Sequence, residues 1–438
     1  MLSAADNELM THVGAGTPMG NLMREYWIPF LFSWEIEADG PPERVRLLGE
    51  DLVVFRDTAG KPGLIAENCP HRGASLYFGR NENGGLACIY HGWRFDVNGR
   101  CVDMPSEPAT SNFHEKVSDL SYPLVEKAGL IWAYMGPLDV PPPLPALEWL
   151  DLPEDQIVAS KRVQYTNWVQ GMEGDLDQSH LSFTHRWLKE NPESPRKGVD
   201  VIRQNDTHPH FEVTQTDYGV VVACSREAGD GQKYWRMSQH MMPFHTITPP
   251  YGDNPTRNWR AWVPIDDHNT FVIGLNFHPT KAIAGEQRER MSLSANVWTI
   301  SPENRAPRTS APFGRWLPGL TIENDFHQDR ELQKTGLYSG IAEFWAQDAA
   351  PQLTMGTIYN RTKEHLGTSD TGIIAMRRRL IEATKKFASD GITPHEVLHP
   401  EVYQVRADAL FLDPDSSWIE KTVERRKVSL TANPDSPA

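Results

Sequence analysis

Short apolar runs broken by turn residues fill the first third of the chain. Residues 45–56 (VRLLGEDLVVFR) group apolar and β-branched positions around a turn expected at Gly49-Glu50. Similar runs continue to about Met135, punctuated by turns such as Asn98-Gly99, and predict an all-β segment. The stretch GPLDVPPPLP (136–145) interrupts them. Three consecutive prolines fit neither a helix nor a central strand, so a stiff linker and a domain boundary are expected there. Beyond about residue 157 the pattern changes. Residues 167–188 have helical composition, while 210–224, 233–248 and 259–277 read as strands of an antiparallel sheet. A helix is predicted over roughly 371–388, capped by Asp370, with Ile373, Met376, Leu380 and Ile381 on one face. The final LTANPDSPA reads as disordered. No internal repeat is evident.

Composition narrows the classes. The 438 residues suggest roughly two or three domains. A net charge of -15 argues against nucleic acid, which requires clustered Lys and Arg. The start, MLSAADNELM, lacks the basic and apolar regions of a signal peptide, and no apolar run reaches the ~18 residues of a membrane helix; a soluble, cytoplasmic chain is expected. The four cysteines, Cys69, Cys88, Cys101 and Cys224, do not suggest a disulfide framework. Two of them sit among histidines, which points to metal.

Two constellations carry chemistry. In ENCPHRGASLYFGRNENGGLACIYHGWRF (67–95), Cys69-x-His71 and Cys88-x2-His91 form two short loops, dense in tight-turning residues such as Pro70, Gly73 and Gly92. Two Cys and two His suit structural zinc, but zinc fingers usually keep one ligand type per loop. Loops that mix Cys and His suit a Rieske [2Fe–2S] centre, where one iron takes both Cys and the other both His. Downstream, NWVQGMEGDLDQSHLSFTHRW (167–187) holds Asp177-x2-His180-x4-His185. His185 lies five residues beyond His180, off one face of an ideal helix, so a bend or widened turn is expected. Two imidazoles and a carboxylate compose the facial triad of non-haem Fe(II), although such a pattern alone also suits ordinary polar structure.

CPHRG…C-x-YHGW-x-F resembles the motif of the Rieske non-haem iron oxygenases, and the likeness runs from GTPMGNLMREYWIP (16–29) to EHLGTSD (364–370). It is nearest the phthalate-dioxygenase-like branch, the oxygenase components that need no small β subunit. The resemblance implies an α+β chain: an N-terminal segment (1–26) packed on the catalytic domain, an all-β Rieske domain (27–137), and a mononuclear iron domain (138–438) with an antiparallel sheet surrounded by helices, helix-grip or START-like. It implies that Cys69, His71, Cys88 and His91 hold the cluster, that His180 and His185 bind iron, and that Asp177 bridges the two centres across a subunit interface. The third iron ligand is expected far downstream. Glu323, Asp325, Asp329, Glu343 and Asp348 are candidates; the likeness of AQDAAPQLTMGTIYNRTKEHLGTSD (346–370) to its counterpart favours Asp348, with Asp329 next.

The implied activity is hydroxylation of an aromatic substrate with O2 and electrons from a NAD(P)H-dependent flavin/iron-sulfur reductase, with or without a ferredoxin, in the catabolism of aromatic compounds. Dioxygenation of a phthalate- or benzoate-like acid is the first reading, and O- or N-dealkylation of a substituted arene the alternative. A homotrimer or a trimer-based assembly is implied. An electron-transfer protein with an inactive second domain and a zinc-bound interaction module are the rival classes. For the pocket, Trp235, Met237, Met241, Phe244, Ile247, Val272 and Phe277 are candidate apolar walls or plain core. Ser179, beside His180, is a candidate substrate contact. Arg226 and Arg236, with Arg203 upstream, are candidates for a carboxylate; phthalate-type members use two arginines. HPHF (208–211) stands near one of those places, so His210 is a candidate in an arginine's stead. Glu173 is expected behind Asp177, and Cys101 and Cys224 read as ordinary thiols.

Overall fold

The computed structural model describes residues 2–189, 197–250, 256–292 and 300–428; the final LTANPDSPA lies outside them. Ten strands build the N-terminal part: β1 (Trp27–Phe32), β2 (Glu43–Leu47), β3 (Glu50–Arg56), β4 (Pro62–Ala66), β5 (Arg80–Glu82), β6 (Gly85–Ala87), β7 (Arg94–Phe95), β8 (Cys101–Asp103), β9 (Leu124–Lys127) and β10 (Leu130–Tyr134). They form three antiparallel sheets, β1-β10-β9, β2-β3-β4 and β5-β6-β7-β8. The β2–β3 turn is one residue earlier than predicted. Leu48 and Gly49 take its positive φ values, 47° and 80°, and their N–H groups bond the carbonyls of Pro264 and Ile265 at 3.2 and 2.8 Å. A contact with the C-terminal part therefore fixes this turn.

The second part is built on one antiparallel sheet: β11 (Ile157–Gln164), β12 (His210–Gln215), β13 (Gly219–Gly229), β14 (Gln232–Met241), β15 (His245–Ile247), β16 (Arg257–Pro264), β17 (Thr270–Phe277) and β18 (Asp408–Leu412). Its order is β11-β17-β16-β15-β14-β13-β12, with β18 added on β14. The helices are α1 (Ala4–Thr11), α2 (Pro18–Arg24), α3 (Trp168–Leu176), α4 (Lys197–Asn205), α5 (Gly285–Ser292), α6 (Arg330–Thr335), α7 (Phe344–Thr354), α8 (Thr371–Asp390), α9 (His395–Leu398) and α10 (Trp418–Thr422). The long α8 covers β12 and β13, and α1 and α2 pack on α8. Its predicted apolar face, Ile373, Met376, Leu380 and Ile381, is buried. Asp370 does not cap it through its side chain; that carboxylate turns back to the Gly367 N–H at 2.7 Å. The sequence is thus an α+β chain, and a continuous core runs from Phe30 and Trp132 of the β1-β10-β9 sheet to Trp259 and Phe271 of the large sheet. The β5–β8 sheet keeps a separate core with Cys69, Cys88, Trp93 and Phe95. Among the described residues, no helix is long and apolar enough to cross a membrane.

Candidate functional site

Two loops of the same design project from the N-terminal part. In each, a glycine four residues after a cysteine donates its N–H to that cysteine's carbonyl, Gly73 to Cys69 and Gly92 to Cys88, both at 2.9 Å. Both glycines have positive φ, 77° and 79°, and a Cβ on Gly92 would lie 2.5 Å from Pro105 Cγ. This turn carries the cysteine into the core and the histidine out of it. Cys69 and Cys88 are buried, at 2% and 4% exposure, and not disulfide-bonded. His71 and His91 face one another with ring centroids 4.4 Å apart, and Trp93 stacks on His71 at 4.2 Å. Burial pushes the Cys69 thiol up to about 12, and the Cys88 sulfur beside it adds to the rise. A metal would displace the thiol proton and hold the sulfur as thiolate. The donor set, two buried sulfurs beneath two half-exposed imidazoles, fits a two-iron centre with unlike ends.

The second constellation sits where α3 stops. The region 167–188 is not one helix: α3 ends at Leu176, Asp177 is extended, and His180–Ser182 is a single 3₁₀ turn. Asp177 Oδ1 accepts the N–H groups of Ser179 at 2.7 Å and His180 at 3.3 Å. Its Oδ2 faces His180 Nδ1 at 3.5 Å. α7 delivers Asp348, whose Oδ1 lies 2.9 Å from His185 Nε2 and 3.5 Å from His180 Nε2. Ligand atoms of His180, His185 and Asp348 all lie within 4.8 Å of one another. Burial pushes the Asp348 carboxyl up, but His185, His180 and Arg162 outweigh it and hold it below the usual range. Phe344 stacks on His185 at 4.1 Å. Two imidazole nitrogens and a carboxylate converging in this way suit a cation between them. Of the other downstream candidates, Asp329 caps α6 through Glu331 and Leu332 N–H, Glu343 accepts from Ser301 and Asn304, and Glu323 and Asp325 are exposed outside the triad.

A cavity of ≈ 110 Å³ opens against this triad, lined by Asp177, His180, His185 and Asp348, by the polar Gln178, Arg236, Thr248, Asn258, Arg260 and Asn276, and by the apolar Leu181 and Phe344 among others. Its walls are more polar than the sequence reading expected. Trp235 and Met237 lie in a core between β14 and α10, and Met241, Phe244, Ile247, Val272 and Phe277 in the main core. Of the substrate candidates, Arg236 does line the cavity. Its Nε donates to Gln178 Oε1 at 3.1 Å and its Nη atoms to the carbonyls of Pro249 and Pro250. The other four are placed elsewhere, Arg203 on α4 at 3.7 Å from Asp200. Arg226 is buried behind the 177–182 loop, donating to the Gln178 carbonyl at 2.5 Å and the Asp206 carbonyl at 3.1 Å, so it braces the loop. His210 is on β12, 66% exposed and 3.5 Å from Glu212, because edge-strand alternation turns it to solvent. Ser179 Oγ is buried outside the cavity lining.

Sequence reasoning missed Arg260, held in the wall by an ion pair with Asp175. Asp175 also accepts from Trp262 Nε1 at 2.8 Å and Thr246 Oγ1 at 2.5 Å. The signal was present: an arginine amid WRAWV in a buried strand carries a charge that must be paired or used. Glu173, expected behind Asp177, pairs instead with Arg361 and Arg377. Burial pushes its carboxyl up, but Arg361 and Arg377 hold it below the ordinary range, with Arg377 contacts of 2.8 and 2.9 Å.

Residues 26–114 match the Rieske [2Fe-2S] domain, and residues 133–404 match the LigXa C-terminal domain-like family. The chain is 37% identical over 427 residues to the 3-chlorobenzoate-3,4-dioxygenase oxygenase subunit of Comamonas testosteroni, covering 97% of this chain and 99% of that one. It is 35% identical to the phthalate 4,5-dioxygenase oxygenase subunit of Pseudomonas putida, covering 88% and 87%. It is 32% identical to the 5,5'-dehydrodivanillate O-demethylase oxygenase subunit of a Sphingobium species, covering 91% and 84%. Among solved structures, the oxygenase in its reduced complex with ferredoxin in carbazole 1,9a-dioxygenase aligns with a TM-score of 0.55 at 19% identity, over 89% of this chain and 98% of that one, a likeness of fold.

Proposed function

The chain belongs to the Rieske non-haem iron oxygenases, as an oxygenase component with a LigXa-like C-terminal domain, and from that membership we propose that it hydroxylates a one-ring aromatic carboxylate. Its cofactors are a Rieske [2Fe–2S] cluster and a mononuclear iron, and O2 is its co-substrate. Cys69, His71, Cys88 and His91 are the proposed cluster ligands; His180, His185 and Asp348 are those of iron. When bound, the cluster supplies electrons singly and the iron supplies a centre with open positions for O2. The division into 1–26, 27–137 and 138–438 is supported by the limits of the two family matches.

The observation that carries the substrate reading is the pair of arginines in a wall of the cavity that abuts the triad. Arg236 and Arg260 place guanidinium charge beside the cavity, which favours an anionic group there, and Thr248, Asn258 and Asn276 supply neutral polar contacts. A void on the order of a single ring then leaves the substrate's carbons against His180 and Asp348. The names of the chlorobenzoate and phthalate relatives support an acid.

Asp177 serves the other side of the same loop. Its side chain is 32% exposed, against 19% for His180 and Asp348 and 2% for His185, so it is the most exposed of the four. It holds His180 by Nδ1 and by backbone, and its remaining lone pairs are available to an imidazole such as His91 or His71 of a second copy. Ile89 and Tyr90, beside His91, are 62% and 57% exposed, which suits burial in a trimer of head-to-tail contacts. A flavin/iron-sulfur reductase, with or without a ferredoxin, is the proposed electron donor.

The test is turnover with a reductase against benzoates, phthalates, methoxy-arenes and N-alkyl anilides. A cis-diol from an aromatic acid is the expected product. Formaldehyde from a methoxy-arene, with no diol from any acid, would move the assignment to dealkylation, the activity named for the demethylase relative. Arg236→Met should raise KM for the acid by about 10–100-fold, as loss of a hydrogen bond to a charged group implies, and leave KM for a neutral arene little changed.

A further inference from the structure

We infer that Gln347 is a positioning residue for the iron site: its side-chain amide selects the tautomer of His185 that presents Nε2 to the metal. This rests on the reading of His180, His185 and Asp348 as an iron triad. Gln347 is buried, at 4% exposure, and precedes Asp348 on α7. Its Nε2 lies 2.8 Å from the carbonyl oxygen of Ile341. A carbonyl only accepts, so the amide nitrogen must face it, and the amide oxygen must then face His185. That oxygen lies 2.7 Å from His185 Nδ1. It too only accepts, so Nδ1 carries the ring proton. The lone pair is left on Nε2, the atom 2.9 Å from Asp348 Oδ1, where two electron-rich atoms meet unless a cation separates them.

The chain of donors thus runs from the main chain at Ile341 through Gln347 to the ring of His185. Packing does not set this orientation alone. On its far side Gln347 borders a separate cavity of ≈ 370 Å³ with Thr184, Phe326 and Tyr338, so its two hydrogen bonds hold it in place. The two histidines are backed differently. His180 Nδ1 faces the carboxylate of Asp177, and His185 Nδ1 faces a neutral amide. A carboxylate partner raises the basicity of a ligand imidazole more than an amide does. The amide therefore fixes geometry at His185 and leaves the stronger charge coupling to the histidine beside Asp177.

The experiment is Co(II) titration of the full chain, loaded with its cluster and freed of mononuclear iron, followed by cobalt absorption and calorimetry. Gln347→Leu fills the same volume without an acceptor. It should weaken Co(II) binding about 10–100-fold, the usual effect of losing a ligand's hydrogen-bond partner, with cluster absorption unchanged. Selective ¹⁵N labelling of histidine should show His185 protonated on Nδ1 in the metal-free parent and in mixed tautomers in Gln347→Leu. Gln347→Glu restores the acceptor toward His185 but forfeits the bond to the Ile341 carbonyl, so it should recover part of the affinity lost in Gln347→Leu, which also separates the effect from misfolding of the leucine variant. Gln347→Leu that binds Co(II) as tightly as the parent, with His185 still protonated on Nδ1, overturns the inference. Asp348→Ala separates the two readings. A parent whose Co(II) binding survives that change has no metal at the triad, and the iron assignment falls first.

Discussion

Asp177 is asked to do two things with one carboxylate. Oδ1 ties down the loop through the N–H groups of Ser179 and His180, and Oδ2 faces His180 Nδ1. Asparagine preserves the first role, because its oxygen accepts the same two N–H groups, and removes the second, because its amide nitrogen accepts nothing. Asp177→Asn should therefore keep both metals, by iron analysis and cluster absorption, and lower reductase-driven turnover by about 100-fold or more, at or beyond the upper end of second-partner effects. Wild-type turnover in that variant would remove Asp177 from the path between centres. At this scale the proposed cluster ligands were readable because each loop spells out its own turn and candidate ligands within five residues. His180 and His185 were readable for the same reason. Asp348, Arg260 and Gln347 come to the site through α7 and β16, and no local spacing points from them to the histidines. Asp348 was reached by family likeness, whereas Arg260 and Gln347 had only a weaker mark: a charge or an amide inside an apolar stretch. The pair Arg226 and Arg236 shows the limit. They lie on adjacent strands, paired with Tyr234 and Cys224, yet one faces the cavity and the other the back of the 177–182 loop.

Elements were read better by kind than by extent. The strands of the large sheet stand where alternation and apolar runs put them, but α3 is much shorter than the helical composition of 167–188. Its last turn gives way because Asp177 spends its carboxylate on the N–H groups ahead of it, a local alternative to helix that aspartate often offers. The corner between β14 and β15 has a consequence for acid stability. His240 and His245 are both fully enclosed there, and burial pushes them down to about 4 and about 3. Both are neutral in the fold, while in the unfolded chain they titrate near the ordinary histidine value of about 6.5. Between those values the unfolded chain binds more protons, so stability falls as pH drops below about 6.5 and goes on falling until the folded values are reached. The maximum slope is about 1.4 kcal/mol per pH unit for each histidine. His245 packs against Phe244 and Trp259, so phenylalanine suits the site. His245→Phe should unfold at a similar temperature at pH 7.5 and show a visibly shallower loss of Tm between about pH 6.5 and 4. An unchanged slope would place the acid sensitivity elsewhere.

At the scale of the whole molecule, the proline-rich stretch suggested two bodies on a stiff connector, but the main core passes between them without a break. The prolines themselves are pinned, with the Pro142 carbonyl accepting from Trp27 Nε1 at 2.7 Å. The most demanding contact across this junction is an ion pair. Lys161 of β11 is 1% exposed and bonds Glu35, which follows β1 and is 7% exposed. Glu35 also accepts from Phe32 N–H at 2.8 Å and Trp316 Nε1 at 2.6 Å. The ammonium lies 4.6 to 5.0 Å from the rings of Phe271, Phe32 and Trp316, whose faces attract a cation, while burial pushes it down to about 8 against the pull of Glu35. Removing one partner of such a pair leaves a buried charge without its counter-ion, which costs about 3–5 kcal/mol, whereas replacing both is often close to neutral. Lys161→Met should thus lower stability by about that amount in urea unfolding, and Glu35→Gln should do so too, since the ammonium keeps its cage but loses its anion. The double variant should recover most of either loss, because methionine still fills the aromatic cage and glutamine still accepts from Phe32 and Trp316. Additive losses in the double variant would mean that the two residues act apart and do not join the N-terminal strands to the large sheet as a pair.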